Sequence, residues 1–165
     1  MTRIRRWAVL GTILFTGCTP PLAYTTSYLF PVQGPLSTRK PIPVIPATVG
    51  HDSTERFAGV TQGDISFVLP GGESFQGQWT RQPYINSDPN ALADLRATDI
   101  VSAWDAVYGD GYYQATVLGS LIHARATLKG SKGTNIQIEF NSSVPWPTRG
   151  VARDDQGNIY KLVIP

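Results

Sequence analysis

The 165-residue chain contains one cysteine, Cys18, so a disulfide bond within the chain is excluded. It contains two histidines, His51 and His123. Neither has another histidine, a cysteine or a carboxylate at the spacing that a metal site requires. We therefore expect no metal and no cofactor.

Sequence motifs for catalysis are also missing. The chain has no Gly-x-Ser-x-Gly and no P-loop, and "GDGYYQ" at 109–114 lacks the third glycine of a dinucleotide fingerprint. A dispersed carboxylate pair such as Glu73 with Asp105 stays open, because a sequence does not show which residues meet in the fold. The motifs do not indicate an enzyme, and a hydrolase acting on cell-envelope material is kept as the alternative to a binding or structural protein.

Charge is sparse and balanced. Fourteen basic and twelve acidic residues give a formal net charge of +2. Three of the basic residues precede Cys18, which leaves eleven basic against twelve acidic residues from Cys18 onward. Nucleic-acid binding depends on a basic surface that neutralises phosphates, and no basic run remains. We therefore expect no nucleic-acid partner.

The chain has no apolar run long enough to cross a bilayer, which takes about 20 residues. The basic start "MTRIRR" leads into "WAVLGTILFTG", an uncharged run that Pro20 and Pro21 soon follow. A basic segment followed by a short apolar one is typical of a secretory signal. We interpret residues 1–17 as a signal peptide rather than a membrane-spanning helix.

The end of this run, Phe15-Thr16-Gly17-Cys18, resembles the bacterial lipobox, although leucine is usual where Phe15 stands. The resemblance implies a lipoprotein whose Cys18 carries diacylglycerol and a further acyl chain such as palmitate. More than one acyl chain gives stable membrane attachment. Thr19 in place of aspartate implies the periplasmic face of the outer membrane. The expected location is the bacterial cell envelope; the alternative is an ordinary signal peptide with an incidental cysteine.

Proline separates two regions of the remaining chain. Residues 18–57 hold seven of the thirteen prolines, and "KPIPVIPATVG" is typical of extended polyproline geometry. We predict a semi-rigid tether over 18–57. Its stretch "SYLFPVQGPL" is apolar enough to dock partly on the domain. Residues 58–165 are predicted to form one domain.

Alternating apolar and polar residues dominate 58–165. "DISFVL" and "ESFQGQW" flank Pro-Gly-Gly, "HARATLK" and "TNIQIEFN" flank Gly-Ser-Lys-Gly, and "GVAR" and "IYKLVI" flank Asp-Asp-Gln-Gly-Asn. Each pair predicts a β-hairpin. The fold class is therefore all-β, as an antiparallel sheet with one wet face or a closed barrel. One short helix is expected in "NALADL", and residues 97–108 fit a strand about as well as a helix.

One aromatic cluster is a candidate binding surface. "WDAVYGDGYY" brings together Trp104, Tyr108, Tyr112 and Tyr113 around two glycines. Such rings stack on sugars or anchor a protein partner, which suggests peptidoglycan or another envelope protein. In the alternative interpretation, Trp104 and Tyr113 fill the core while the glycines form a turn.

Several elements together resemble a group of uncharacterised proteobacterial lipoproteins. They are Pro-Val-x-Gly-Pro at 31–35, Gly-Glu-x-x-x-Gly-x-Trp at 72–79 and Gly-Asn-x-Tyr at 157–160. The resemblance implies a lipid anchor and assigns no activity or site residues.

Overall fold

The computed structural model of the chain describes residues 22–52, 61–82, 99–118, 120, 122–142 and 148–165. These residues form eight strands: β1 Leu22–Gln33, β2 Ile45–Asp52, β3 Gln62–Leu69, β4 Glu73–Arg81, β5 Ile122–Lys129, β6 Asn135–Ser142, β7 Thr148–Asp154 and β8 Ile159–Ile164. Every strand pairs antiparallel with its neighbours in the chain, and β8 pairs with β1. The sheet is thus a closed barrel, and the all-β prediction is confirmed.

All three predicted hairpins are confirmed as β3–β4, β5–β6 and β7–β8. The first turns at residues 70–72, where Gly71 and Gly72 have φ of 129° and 75°. A side chain is strained at such angles, which explains the two glycines. The third turn is fixed by Asp154, whose Oδ1 accepts the backbone N–H of Gln156 at 3.0 Å and of Asn158 at 2.8 Å. This aspartate therefore stabilises a hairpin turn, as its sequence context predicts.

Apolar and polar residues alternate along the strands, and the apolar side chains fill the barrel interior. On β6, Ile136, Ile138 and Phe140 are buried, whereas Asn135 and Gln137 are exposed. Successive side chains of a strand point to opposite faces, so this pattern fixes the register of the sheet. One face of each strand thereby contributes to a single core, in which the largest fully buried side chains include Trp79, Tyr160, Phe75, Phe140 and Leu29.

The prediction of a tether over residues 18–57 is wrong for most of that range, because β1 and β2 are barrel strands. Proline lacks the N–H that a ladder uses, so it is tolerated at the ends and irregularities of ladders. Pro31 lies where the pairing of β1 with β8 shifts register. Pro46 precedes the ladder between β2 and β3, which begins at Ala47. The domain therefore begins N-terminal to residue 58.

Residues 99–108, which the sequence left undecided, form a helix, α1 Asp99–Tyr108. Ile100, Ala103 and Trp104 are buried at helical spacing and pack on the outer surface of the barrel at β6, β7 and β8. Gly109, with φ of 103°, ends the helix. A π-helical turn follows at Tyr113–Val117. The short helix predicted in "NALADL" lies outside the described residues.

None of the helices in the described ranges has the length and apolar character needed to span a bilayer.

We predict that Leu29→Ala lowers the free energy of unfolding by about 2–5 kcal/mol, because it leaves a cavity in the core. Leu29 lies on β1 and is 0% exposed, whereas its strand neighbour Val32 is 43% exposed. Val32→Ala is the matched control and should change stability by less than about 0.5 kcal/mol. Urea unfolding followed by tryptophan fluorescence measures both. Equal small effects would contradict the placement of β1 in the barrel.

Candidate functional site

The four aromatic residues of the predicted binding surface divide into two pairs. Trp104 is 0% exposed and Tyr113 is 1% exposed, so neither offers a surface to a partner. For this pair the prediction is corrected, because both rings fill the interface between α1, the π-helical turn and the barrel. Tyr108 and Tyr112 are half-buried and keep one side towards solvent.

A buried carboxylate, which the sequence did not single out, lies beneath the helix. Glu139 is on the outer face of β6 and is 0% exposed. Its Oε2 accepts the indole N–H of Trp104 at 2.5 Å. Its Oε1 lies 2.6 Å from Nε2 of His123 and accepts the Nε–H of Arg125 at 2.5 Å. Arg125 also donates to the hydroxyl of Tyr113 at 3.2 Å. These five residues form what we call the Glu139 network.

The electrostatics of the network favour fixed charges. Burial alone would raise the pKa of Glu139, but the hydrogen bond and charge of His123, together with those of Arg125, lower it. Burial and the nearby Glu139 carboxylate raise the pKa of Tyr113 to about 12. At neutral pH the network therefore holds an ionised glutamate, a charged arginine and a neutral tyrosine.

A histidine–carboxylate contact is the arrangement that a hydrolase would use, but here both carboxylate oxygens are occupied by protein groups. His123 is only 5% exposed, and Glu139 is sealed beneath Trp104. A catalytic base must reach a substrate proton. The network instead connects α1, the π-helical turn, β5 and β6. We therefore interpret it as a structural contact that holds these elements together.

The solvent-facing part of the cluster is an aromatic pair flanked by cations. The rings of Tyr108 and Tyr112 stack with centroids 4.7 Å apart, and the Tyr112 ring also stacks on Trp104 at 5.8 Å. The guanidinium carbon of Arg149 on β7 lies 5.9 Å from the centre of the Tyr108 ring, and Nζ of Lys161 on β8 lies 5.6 Å from it. We call Tyr108, Tyr112, Arg149 and Lys161 the Tyr–Arg patch.

Hydrogen bonding leaves this patch rich in donors. Arg149 donates to the hydroxyl oxygen of Tyr112 at 2.9 Å, which leaves the Tyr112 O–H proton free for another acceptor. Burial and the neighbouring Tyr112 raise the pKa of Tyr108 to about 12, so its hydroxyl stays protonated, and it donates to the backbone carbonyl of Gly150 at 3.4 Å. Within the described part of the chain, neither Arg149 nor Lys161 forms a salt bridge. The patch is therefore positively charged, and its charge complements that of an anion.

The other sequence-based candidates are placed as follows. Glu73 is buried at the start of β4 and accepts the backbone N–H of Thr134 at 3.0 Å and its hydroxyl at 2.7 Å. It stabilises the turn before β6, and no described contact joins it to Asp105. Among the described residues no three His, Cys, Asp or Glu side chains cluster as metal ligands would. Cys18 lies outside the described residues.

Comparison with protein families, with curated proteins and with solved structures found no match.

We predict that Glu139→Gln lowers the free energy of unfolding at pH 7 by about 3 kcal/mol, since it leaves the Arg125 charge without its buried partner. The pKa of Glu139 is lowered by folding, so its contribution is complete above its unfolded pKa of about 4.3 and is lost as the pH falls through the folded value. The stability difference between the two proteins should therefore shrink in acid.

Urea unfolding between pH 3 and pH 7 measures this difference. Asp110→Asn, which changes an exposed acid in the turn after α1, is the control and should stay near wild type throughout. A Glu139→Gln protein as stable as wild type at pH 7 would contradict the role of the network.

Proposed function

We propose that this chain is a lipid-anchored protein of the bacterial cell envelope that acts by binding. The lipobox at residues 15–18 supports the anchor, and the Tyr–Arg patch supports the binding role. By the lipobox resemblance, the protein sits on the periplasmic face of the outer membrane, where peptidoglycan is within reach of a surface-held domain.

The observation that carries the binding role is the pair of cations beside the stacked tyrosines. The carboxylates of peptidoglycan stem peptides are anions, and sugars offer hydroxyls to the Tyr112 O–H. The faces of Tyr108 are approached by Tyr112, Arg149 and Lys161, so a sugar has little free ring to stack on. Recognition therefore depends on charge and hydrogen bonds more than on stacking, and we assign the patch to peptidoglycan, bound through the carboxylates of its stem peptides.

Binding accounts for more of the geometry than hydrolysis does. The only histidine–carboxylate contact among the described residues is the buried pair His123 and Glu139, which the helix covers. The exposed polar groups of the patch are donors and cations. Such a surface holds an anion, and it offers no base or nucleophile to attack one.

The anchor predicts that the protein, expressed in a bacterium that acylates lipoproteins, incorporates labelled palmitate. Cys18→Ser should remove the label, because the hydroxyl cannot take the place of the thiol that is acylated. The label is read on a gel after membrane fractionation. An unlabelled wild-type protein in the soluble fraction would overturn the anchor.

The patch predicts that full-length protein in detergent is retained by purified peptidoglycan sacculi, and that replacing both Arg149 and Lys161 by glutamine weakens retention about fivefold to tenfold. Loss of two exposed charges at about 0.5–0.7 kcal/mol each gives this range. Retention should also fall with added salt.

A matched control replaces Lys129 and Lys132, which are exposed elsewhere on the barrel, by glutamine. This change removes the same charge and should leave retention near wild type. Equal retention of the patch variant and wild type, or no retention of either, would reject the assignment to peptidoglycan.

A further inference from the structure

Exposed apolar side chains are confined to one side of the barrel. Among the described residues, every large hydrophobic side chain that is exposed belongs to β1, the connection after it, or β3: Tyr24, Tyr28, Val32, Ile42, Val44 and Val68. The most exposed are Tyr24 at 59%, Val44 at 55% and Val68 at 54%. Scattered apolar residues are ordinary on a protein surface, but their concentration on one side marks a surface that is covered in use.

The exposed residues are neighbours across the strands. Tyr28 on β1 pairs with Pro46 on β2, and the rings of Tyr28 and Phe30 lie 6.3 Å apart. In the next row, Thr26 pairs with Thr48, and Thr48 pairs with Ser66 on β3. A groove of about 440 Å³ crosses the outer surface of β1–β4 here, and no charged residue lines it. We call the outer surface of β1–β3 with the β1–β2 connection the β1–β3 face.

Charge on this side is mainly basic, and the acidic side chain described on the outer face of β3 is the half-buried Asp64. Residues 22–51 contain no aspartate or glutamate and two basic residues, Arg39 and Lys40, both exposed. The segment is thus apolar, rich in hydroxyl groups and positive. Tyrosine is enriched at the boundary between lipid and water, and lysine or arginine next to anionic headgroups adds attraction.

The position of Cys18 in the chain favours a lipid surface as the partner of the β1–β3 face. Four chain steps separate it from Leu22, the first residue of β1, which is at most about 14 Å along an extended backbone. Tyr24 comes two residues later on the same strand. An acylated Cys18 therefore keeps Leu22 within about 14 Å of the membrane surface.

We propose that the β1–β3 face lies against the lipid headgroup layer of the membrane that holds Cys18, with anionic phosphates near Arg39 and Lys40. This inference rests on the proposed acyl anchor. It adds that the barrel is seated on the bilayer in a defined orientation, instead of standing away from it on a stalk.

The acylated full-length protein, reconstituted into vesicles of phosphatidylethanolamine and phosphatidylglycerol, tests this orientation. Because lipid blocks the thiol of Cys18, a single added cysteine carries a spin label without competition. Val44→Cys and Val68→Cys report on the β1–β3 face. Thr127→Cys and Gln137→Cys, exposed partners on the outer surface of β5 and β6, are the matched controls.

In vesicles, labels at 44 and 68 should collide several-fold less with a water-soluble nickel chelate and more with oxygen, which concentrates in lipid. Labels at 127 and 137 should change little. Replacing Arg39 and Lys40 by glutamine should reduce the difference only in vesicles that contain phosphatidylglycerol.

Each contrary result has a separate meaning. If intact-mass measurement shows lipid on Cys18 but the four labels respond alike, the orientation is overturned while the anchor stands. If labels at 44 and 68 lose collisions with both reagents, a protein covers the face and the lipid assignment is overturned. If the purified chain carries no lipid, the anchor fails, and this inference fails with it.

Discussion

The pairing of β1 with β8 is the contact on which the rest of the structure depends. A sheet with unpaired edges exposes rows of backbone donors and acceptors, and closure removes both edges at once. It also places the two surfaces next to each other, because Lys161 on β8 pairs with Phe30 on β1, the strand that also carries Tyr28. The Tyr–Arg patch and the β1–β3 face are therefore adjacent sectors of one rigid wall.

The second constraint is the carboxylate of Glu139. Burying an ionised group is expensive unless hydrogen bonds and an opposite charge compensate it, and here Trp104, His123 and Arg125 provide both. The network holds α1 in one position on the barrel, because the indole N–H must meet Oε2. Tyr108 and Tyr112 follow Trp104 in the chain, so the position of α1 also determines where their stacked rings lie. The exposed patch thus depends on a buried ion pair beneath the helix.

Period-two alternation predicted the three hairpins and much of the core, since inward-facing residues such as Ile136 and Ile138 are set by the pleat. Proline content misled the prediction for β1 and β2. Pro31 and Pro46 look like linker residues in sequence. Only the pairing shows that Pro31 lies at a register shift and that Pro46, which pairs with Tyr28, precedes the ladder with β3.

The candidate site was predicted only in part for a related physical reason. Spacing could bring Trp104, Tyr108, Tyr112 and Tyr113 together, but burial depends on what packs above and below them. Arg125 opposite Glu139 is a cross-strand pair that follows from the β5–β6 hairpin. That a helix seals this pair, and that Arg149 and Lys161 flank Tyr108, follows from contacts distant in sequence, which local patterns do not encode.

The two proposed surfaces are compatible in one arrangement of the barrel. If the β1–β3 face lies on lipid, β8 stands at the margin of the contact, and β7 with α1 turns towards the aqueous side. The Tyr–Arg patch then remains open while the anchor is engaged. A long flexible stalk would leave the patch randomly oriented, whereas a barrel seated beside its own acyl chains holds Arg149 and Lys161 at a fixed height. Under the two proposals, the short connection from Cys18 to β1 sets the direction in which the cations point.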